Sequence, residues 1–212
     1  MSDFSVVYAD DSLLVLDKPA GLLSVPGKGD DKQDCLSSRV QVVHADARVV
    51  HRLDMATSGL LVMALGALAQ RSLNHAFAMR LVHKRYVAVV DGLLASAKPD
   101  WERIDLPILL DWPHRPRRII DPQGKPSLTR WRVLKHNPTD LTTRLELEPV
   151  TGRSHQLRVH LEALQHPILG DALYGTPTSL GKSERLLLHA TRLELTHPVT
   201  GQAMVFSSDA PF

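Results

Sequence analysis

The stretch His51-Arg52-Leu53-Asp54-Met55-Ala56-Thr57-Ser58 is polar and turn-like, and at Gly59 it runs into Leu60-Leu61-Val62-Met63-Ala64-Leu65. A short apolar run bounded by turn residues predicts a strand buried in a core. Gly59 marks the junction, where the backbone calls for an unusual dihedral. Arg52 and Asp54 therefore stand two positions apart on a loop that leads into a rigid strand. Such a loop places a reactive group at a defined point. On spacing alone, Asp54 also reads as an ordinary turn or cap residue.

The rest of the chain narrows the setting. Its 212 residues suffice for one large domain or two small ones, with a sizeable core. The formal net charge is only +2, so local clusters rather than a global field must argue for nucleic acid. Cys35 is the single cysteine, which excludes an intrachain disulfide and fits a reducing cytoplasm. Met1 to Phe4 is polar and predicts no signal peptide. The longest apolar run, Gly59 to Ala69, is too short to span a bilayer.

Phe4 to Tyr8 and Leu13 to Leu16 read as strands joined by the turn Ala9-Asp10-Asp11-Ser12. Lys18 to Gly27, rich in Pro and Gly, reads as an ordered loop. Asp34 is the expected cap of a helix to about Val43, with Leu36, Val40 and Val43 on one apolar face. A second helix carries Ala69, Leu73, Ala76 and Phe77 and ends near Arg80. His83 to Val90 reads as a strand with Tyr86, Ala88 and Val90 on one face, closed by Asp91-Gly92.

Residues 95–126 are the least regular part. Within them, Asp111 to Arg118 holds two prolines, Trp112 and three arginines, Arg115, Arg117 and Arg118. A solvated loop has this composition, and so does an RNA clamp of guanidinium forks and a stacking surface. Strands follow at Ser127 to Leu134 and Leu141 to Leu147 across the turn His136 to Asp140. Thr151 to Leu161 opens a helix capped by Ser154, which leaves Arg153 at its mouth. A turn-rich stretch with Tyr174-Gly175, a long buried strand from Arg185 and a last strand, Ala203 to Phe206, complete the chain. Recurrent hairpins and few helices predict an α+β fold around a mixed, largely antiparallel sheet with flanking helices.

His51-Arg-Leu-Asp-x-x-Thr-Ser-Gly-Leu-Leu-Val62, with Lys84-x-Tyr-x-Ala88 and Gly152-Arg-x-His-Gln-Leu-Arg158, resembles the three motifs of the RluA family of pseudouridine synthases. Lys18-Pro-x-Gly21 matches a further family segment, and the likeness runs from the first hairpin to the last strand. The resemblance implies a single catalytic domain over residues 1–212, without the S4-type domain that many relatives carry. It also implies RNA as substrate. Asp54 is then the catalytic residue, Arg153 the cation that holds it, and Tyr86 the ring on which the target base stacks. Without the family, Tyr86 reads as a core tyrosine and Arg153 as a surface arginine. Arg52 is expected to brace the gap left by the flipped base. His51, Arg52, Lys84, Arg85, Arg115, Arg117, Arg118 and Arg158 are the expected RNA contacts. Trp112-Pro-x-Arg-Pro116 resembles the branch of the family that acts on both 23S rRNA and a tRNA anticodon stem-loop.

Other readings compete. Gly175 to Ser183 ends in Gly-Lys-Ser, but five residues separate its glycines where a phosphate loop needs four, and no strand precedes them. Eleven histidines include no pair at ligand spacing, so no metal is expected, and no cofactor. A glycosidase or nucleosidase would need a second carboxylate beside Asp54 where the motifs place arginines. A non-catalytic RNA-binding protein on the same fold, or a synthase restricted to one of the two RNA classes, is the main alternative. The expected setting is a cytoplasmic monomer with no membrane partner.

Overall fold

The structure, a computed structural model, describes residues 4–96 and 100–212. Its first elements are β1 (Ser5–Ala9), β2 (Leu13–Lys18), α1 (Leu36–Val43), β3 (Ala47–Val49), β4 (Ser58–Leu65) and α2 (Gly66–Ala78). Next come β5 (His83–Asp91), β6 (Glu102–Asp105), β7 (Ile108–Leu110), β8 (Arg118–Ile120), β9 (Leu128–Asn137) and β10 (Thr142–Pro149). The chain ends with α3 (Gln156–Ala163), α4 (Pro177–Gly181), β11 (Leu188–Thr196) and β12 (Ala203–Ser207). It forms two compact units, Met1–Lys84 with His189–Pro211 and Arg85–Leu188 with Phe212. Residues 1–3 of the polar start lie outside the described residues.

In the first unit, β4 is the central strand. It pairs antiparallel with β2, from Leu13↔Ala64 to Lys18↔Gly59, antiparallel with β3, and parallel with β11 at His189↔Ser58 and Ala190↔Gly59. Both faces of β2 and β4 are buried, which is why these segments read as unbroken apolar runs. On one face Leu13, Val15, Leu60, Val62 and Ala64 pack with Ala69 and Leu73 of α2 and Leu193 of β11. Each such leucine contributes roughly 2 kcal/mol by leaving water. The expected junction at Gly59 is real: its φ is +107°, and a Cβ there would lie 2.4 Å from the Ala190 carbonyl oxygen.

The expected hairpin is β1–β2, turned at Asp10. Asp10 Oδ1 accepts the amides of Ser12 and Leu13, and Oδ2 accepts Tyr8 Oη at 2.7 Å and His197 Nε2 at 2.9 Å. Partial burial pushes its pKa up, but these hydrogen bonds outweigh it and bring the value down to about 2. Two local expectations are corrected. Cys35, not Asp34, caps α1, its sulfur accepting the Ser38 amide, because Cys35 takes the extended dihedrals of a cap and Asp34 is drawn off by Arg39 at 2.7 Å. Val43 ends α1 exposed, away from buried Leu36 and Val40.

In the second unit β5, β10, β9 and β6 pair antiparallel in that order. Register puts Tyr86 beside Leu147 and Ala88 beside Leu145, on a buried face. The other face is charged: Arg132 bonds Glu146 at 2.6 Å, and Arg130 bonds Glu148 at 3.1 Å. The segment read as least regular holds three strands. β6 joins the main sheet, and β7 and β8 form a two-stranded ribbon. His136 and Asn137 complete β9 rather than its turn. α3 begins at Gln156, with His155 rather than Ser154 as its cap residue. Among the described residues, no helix is long and apolar enough to cross a membrane.

Candidate active site

In the first unit, the loop between β3 and β4 carries Arg52 and Asp54, and its alternate residues tie it down. Leu53 is buried, its amide donating to Ser24 Oγ at 3.1 Å while that hydroxyl donates back to the Leu53 carbonyl at 2.7 Å. The Met55 carbonyl accepts from the Gly21 amide at 2.9 Å and from Lys18 Nζ at 3.1 Å. Asp54 lies between these anchors, half-buried, its carbonyl closing a turn with the Thr57 amide. Arg52 is exposed.

Lys18, which the sequence places in the Lys-Pro-x-Gly segment without a role, is a further residue of this site. It is 0% exposed, and its ammonium also donates to the carbonyls of Pro19 and Leu22, each at 2.8 Å. An apolar strand ending in Asp-Lys-Pro was the available signal. At the foot of β4, Ser208 donates to Asp17, so His189 Nε2 donates to Ser208 at 3.1 Å and its Nδ1 accepts Ser58 Oγ at 2.8 Å.

His51 is not placed to grip RNA. Its Nε2 accepts the Val62 amide at 3.0 Å, and its ring stacks on Phe77 at 4.6 Å. Burial, then the nearby Lys84 charge, pushes its pKa down to about 3, so the ring is neutral and offers no charge to a phosphate. Burial also lowers the pKa of Lys84, whose Nζ lies 5.8 Å from the Phe77 centroid.

In the second unit, Tyr86 is buried on β5, with only 8% of its surface exposed. Arg85 lies on the opposite sheet face, bound to Glu148 at 3.3 Å and stacked on Trp101 at 4.4 Å. Strand alternation separates it from Tyr86, and the guanidinium expected to contact RNA is engaged by Glu148 and Trp101 on that face.

The basic loop is the tip of the β7–β8 ribbon. Trp112 is 65% exposed, with the Arg115 guanidinium 4.2 Å from its ring. Arg117 and Arg118 sit lower, half-buried, and the Nε of each is buried without a partner among the described residues.

Arg153 projects from a turn that Gln156 holds. Gln156 Oε1 accepts from Thr151 Oγ1 at 2.7 Å and from the Arg153 amide at 3.0 Å, and its Nε2 donates to the Leu128 carbonyl. The Arg153 side chain is exposed, with Nε donating to the Pro126 carbonyl at 3.3 Å. Arg158 is a correction. It is buried and gives Nε and Nη2 to Asp171 at 2.7 and 2.6 Å, so its fork is spent inside the fold. Among the described residues, no group of three His, Cys, Asp or Glu side chains could hold a metal.

A family model described as RNA pseudouridylate synthase matches residues 12–163. The chain is 46% identical over 208 residues to the dual-specificity RNA pseudouridine synthase RluA of Escherichia coli (strain K12), covering 98% of this chain and 93% of the relative. It is also 46% identical to the protein of the same name from Yersinia pestis, covering 99% of that relative. The solved structure of human RNA pseudouridylate synthase domain containing 1 superposes with a TM-score of 0.82 at 31% identity, covering 100% of this chain and 85% of that one.

Proposed function

The chain belongs to the RNA pseudouridylate synthase family, and we propose that it isomerises one loop uridine in 23S rRNA and one in a tRNA anticodon stem-loop. The observation that carries this reading is identity over nearly the full length to relatives named dual-specificity synthases. As an RNA pseudouridine synthase it catalyses an isomerisation. The uridine N1–C1′ bond breaks, the uracil turns, C5 bonds to C1′, the C5 proton leaves to solvent and N1 takes up one proton in its place. Atoms and electrons balance without an outside reagent.

Roles follow from the three motifs. The target base must leave its stack, at a cost of a few kcal/mol, and exposed Arg52 is assigned to brace the gap. Asp54 acts at the sugar, either as nucleophile at C1′ or as base toward a ribose proton. Arg153 orients that carboxylate with a planar fork on a fixed backbone. Tyr86 offers a flat face that holds the freed uracil while it rotates.

RNA grip falls to Arg52 and Arg115, which are exposed, and to half-buried Lys84, Arg117 and Arg118. A buried unpaired donor in a native fold asks for an explanation, and the two unpartnered Nε groups support reading this ribbon as one that meets phosphate. In this reading the two units form one catalytic domain, working as a cytoplasmic monomer.

The test uses stem-loops tritiated at uridine C5, one from a tRNA anticodon arm and one from 23S rRNA. The expected result is tritium release from both, abolished in Asp54→Asn. Release from one alone restricts the substrate class, and free uracil in place of pseudouridine makes the protein a hydrolase.

A further inference from the structure

Tyr174 joins the two parts of the second unit that face RNA in the reading above. It lies in the turn-rich segment between α3 and α4, and the function has not used it. Asp171 fixes its backbone: Oδ1 accepts the amides of Leu173 at 2.9 Å and Tyr174 at 3.1 Å while the same carboxylate holds Arg158. The ring is buried with Ile108 and Val159, and the guanidinium groups of Arg158 and Arg117 lie 5.0 and 5.5 Å from its centroid.

The phenol oxygen accepts the backbone amide of Arg118, on β8, at 2.8 Å. The same hydroxyl hydrogen-bonds His155 Nδ1, also at 2.8 Å, with the two rings edge to face. His155 is no ordinary surface residue. Its φ of 59° and ψ of 14° put it in the left-handed region, where a side chain other than glycine is strained. It stands two residues past Arg153, in the turn whose Arg153 amide is pinned by Gln156. One hydroxyl thus ties the ribbon carrying Trp112 and Arg115 to the turn carrying Arg153.

We propose that Tyr174 is a positioning residue, whose hydroxyl holds the basic ribbon and the Arg153 turn in one register so that RNA seated on the ribbon meets a correctly placed arginine. This rests on the roles assigned above to Arg153 and the ribbon. A guanidinium displaced by ~1 Å costs about a hundredfold in rate, so a link of this kind matters to chemistry more than to stability. A tyrosine serving the core alone would do its work through the ring, which phenylalanine keeps.

The test measures single-turnover pseudouridine formation at saturating stem-loop, RNA affinity and thermal midpoint in Tyr174→Phe, His155→Asn and their double variant. Asparagine tolerates the left-handed region, so His155→Asn removes the imidazole with little strain. Each single variant is expected to fold, to lose about tenfold in rate, and to bind RNA within about threefold of wild type. The double variant is expected to be no slower than the slower single variant, as for groups acting as one unit. A wild-type rate in Tyr174→Phe, a loss confined to affinity, or additive losses in the double variant would each overturn the proposal. Arg153→Ala runs alongside. If Arg153→Ala is inactive and Tyr174→Phe is fully active, the link fails alone. If Arg153→Ala keeps the wild-type rate, the assigned role of Arg153 fails and the proposal falls with it.

Discussion

Lys18 Nζ donates to the Met55 carbonyl at 3.1 Å, tying a fully buried ammonium to the residue after Asp54. The same ammonium holds the carbonyls of Pro19 and Leu22. Lys18→Met fills a similar space but takes the ammonium from the carbonyls of Pro19 and Leu22 and leaves Met55 with the Gly21 amide. It is expected to cost roughly 3 kcal/mol in denaturant unfolding, and to abolish turnover through the loosened Asp54 loop. A stable, active Lys18→Met would mean that Leu53 with Ser24 and the Gly21 amide on Met55 hold the loop without the ammonium.

Gly59 and Ala190 set the second expectation. The positive φ and the 2.4 Å approach to the Ala190 oxygen leave no room for a methyl group, and both obstacles are backbone. Gly59→Ala is expected to destabilise the protein by about 3 kcal/mol, whereas the same change stabilises by about 0.4–1 kcal/mol where space and dihedral are permissive. Thermal unfolding decides it, and a midpoint unchanged from wild type would contradict the close approach.

Asp10 predicts a pH dependence with a definite sign. Its pKa falls from 3.8 to about 2 on folding, so the stability it contributes is present above 3.8 and is lost as pH falls through about 2. Asp10→Asn should therefore be less stable at neutral pH and should show a shallower loss of stability between these values. Parallel stability curves for the two proteins over that acid range would remove Asp10 as the cause.

The parts of this architecture that were legible are those decided locally. The run Leu60–Leu65, the turn at Asp10 and the alternation Tyr86-Ala88-Val90 each follow from period and turn chemistry within a few residues. Caps were misread at Asp34 and Ser154 because the choice turns on which neighbour takes the cap dihedral and on partners such as Arg39 and Gln156. β6 was missed because four residues without clear alternation become a strand only by pairing with β9. In the site, motif likeness singled out Asp54, Tyr86 and Arg153. It did not separate cations that face solvent from those the fold consumes: Arg158 meets Asp171 and Arg85 meets Glu148 only once the chain is folded.

That separation makes the last prediction, a contrast between two arginines of the second unit. Arg115 is exposed on Trp112 at the ribbon tip, so Arg115→Ala should leave the unfolding midpoint within experimental scatter. It should weaken RNA binding and reduce the slope of log affinity against log salt by about 0.7, the share of one phosphate on a single strand. Arg158 is buried in a two-bond pair, so Arg158→Ala strands the Asp171 carboxylate and should cost about 3–5 kcal/mol of stability. In whatever folded fraction remains, its salt slope should match wild type, because Arg158 neutralises Asp171 and not RNA. Salt titrations of stem-loop binding together with unfolding curves separate the two. A reduced slope in Arg158→Ala, or an unchanged one in Arg115→Ala, would reverse the assignment of which arginines the RNA meets.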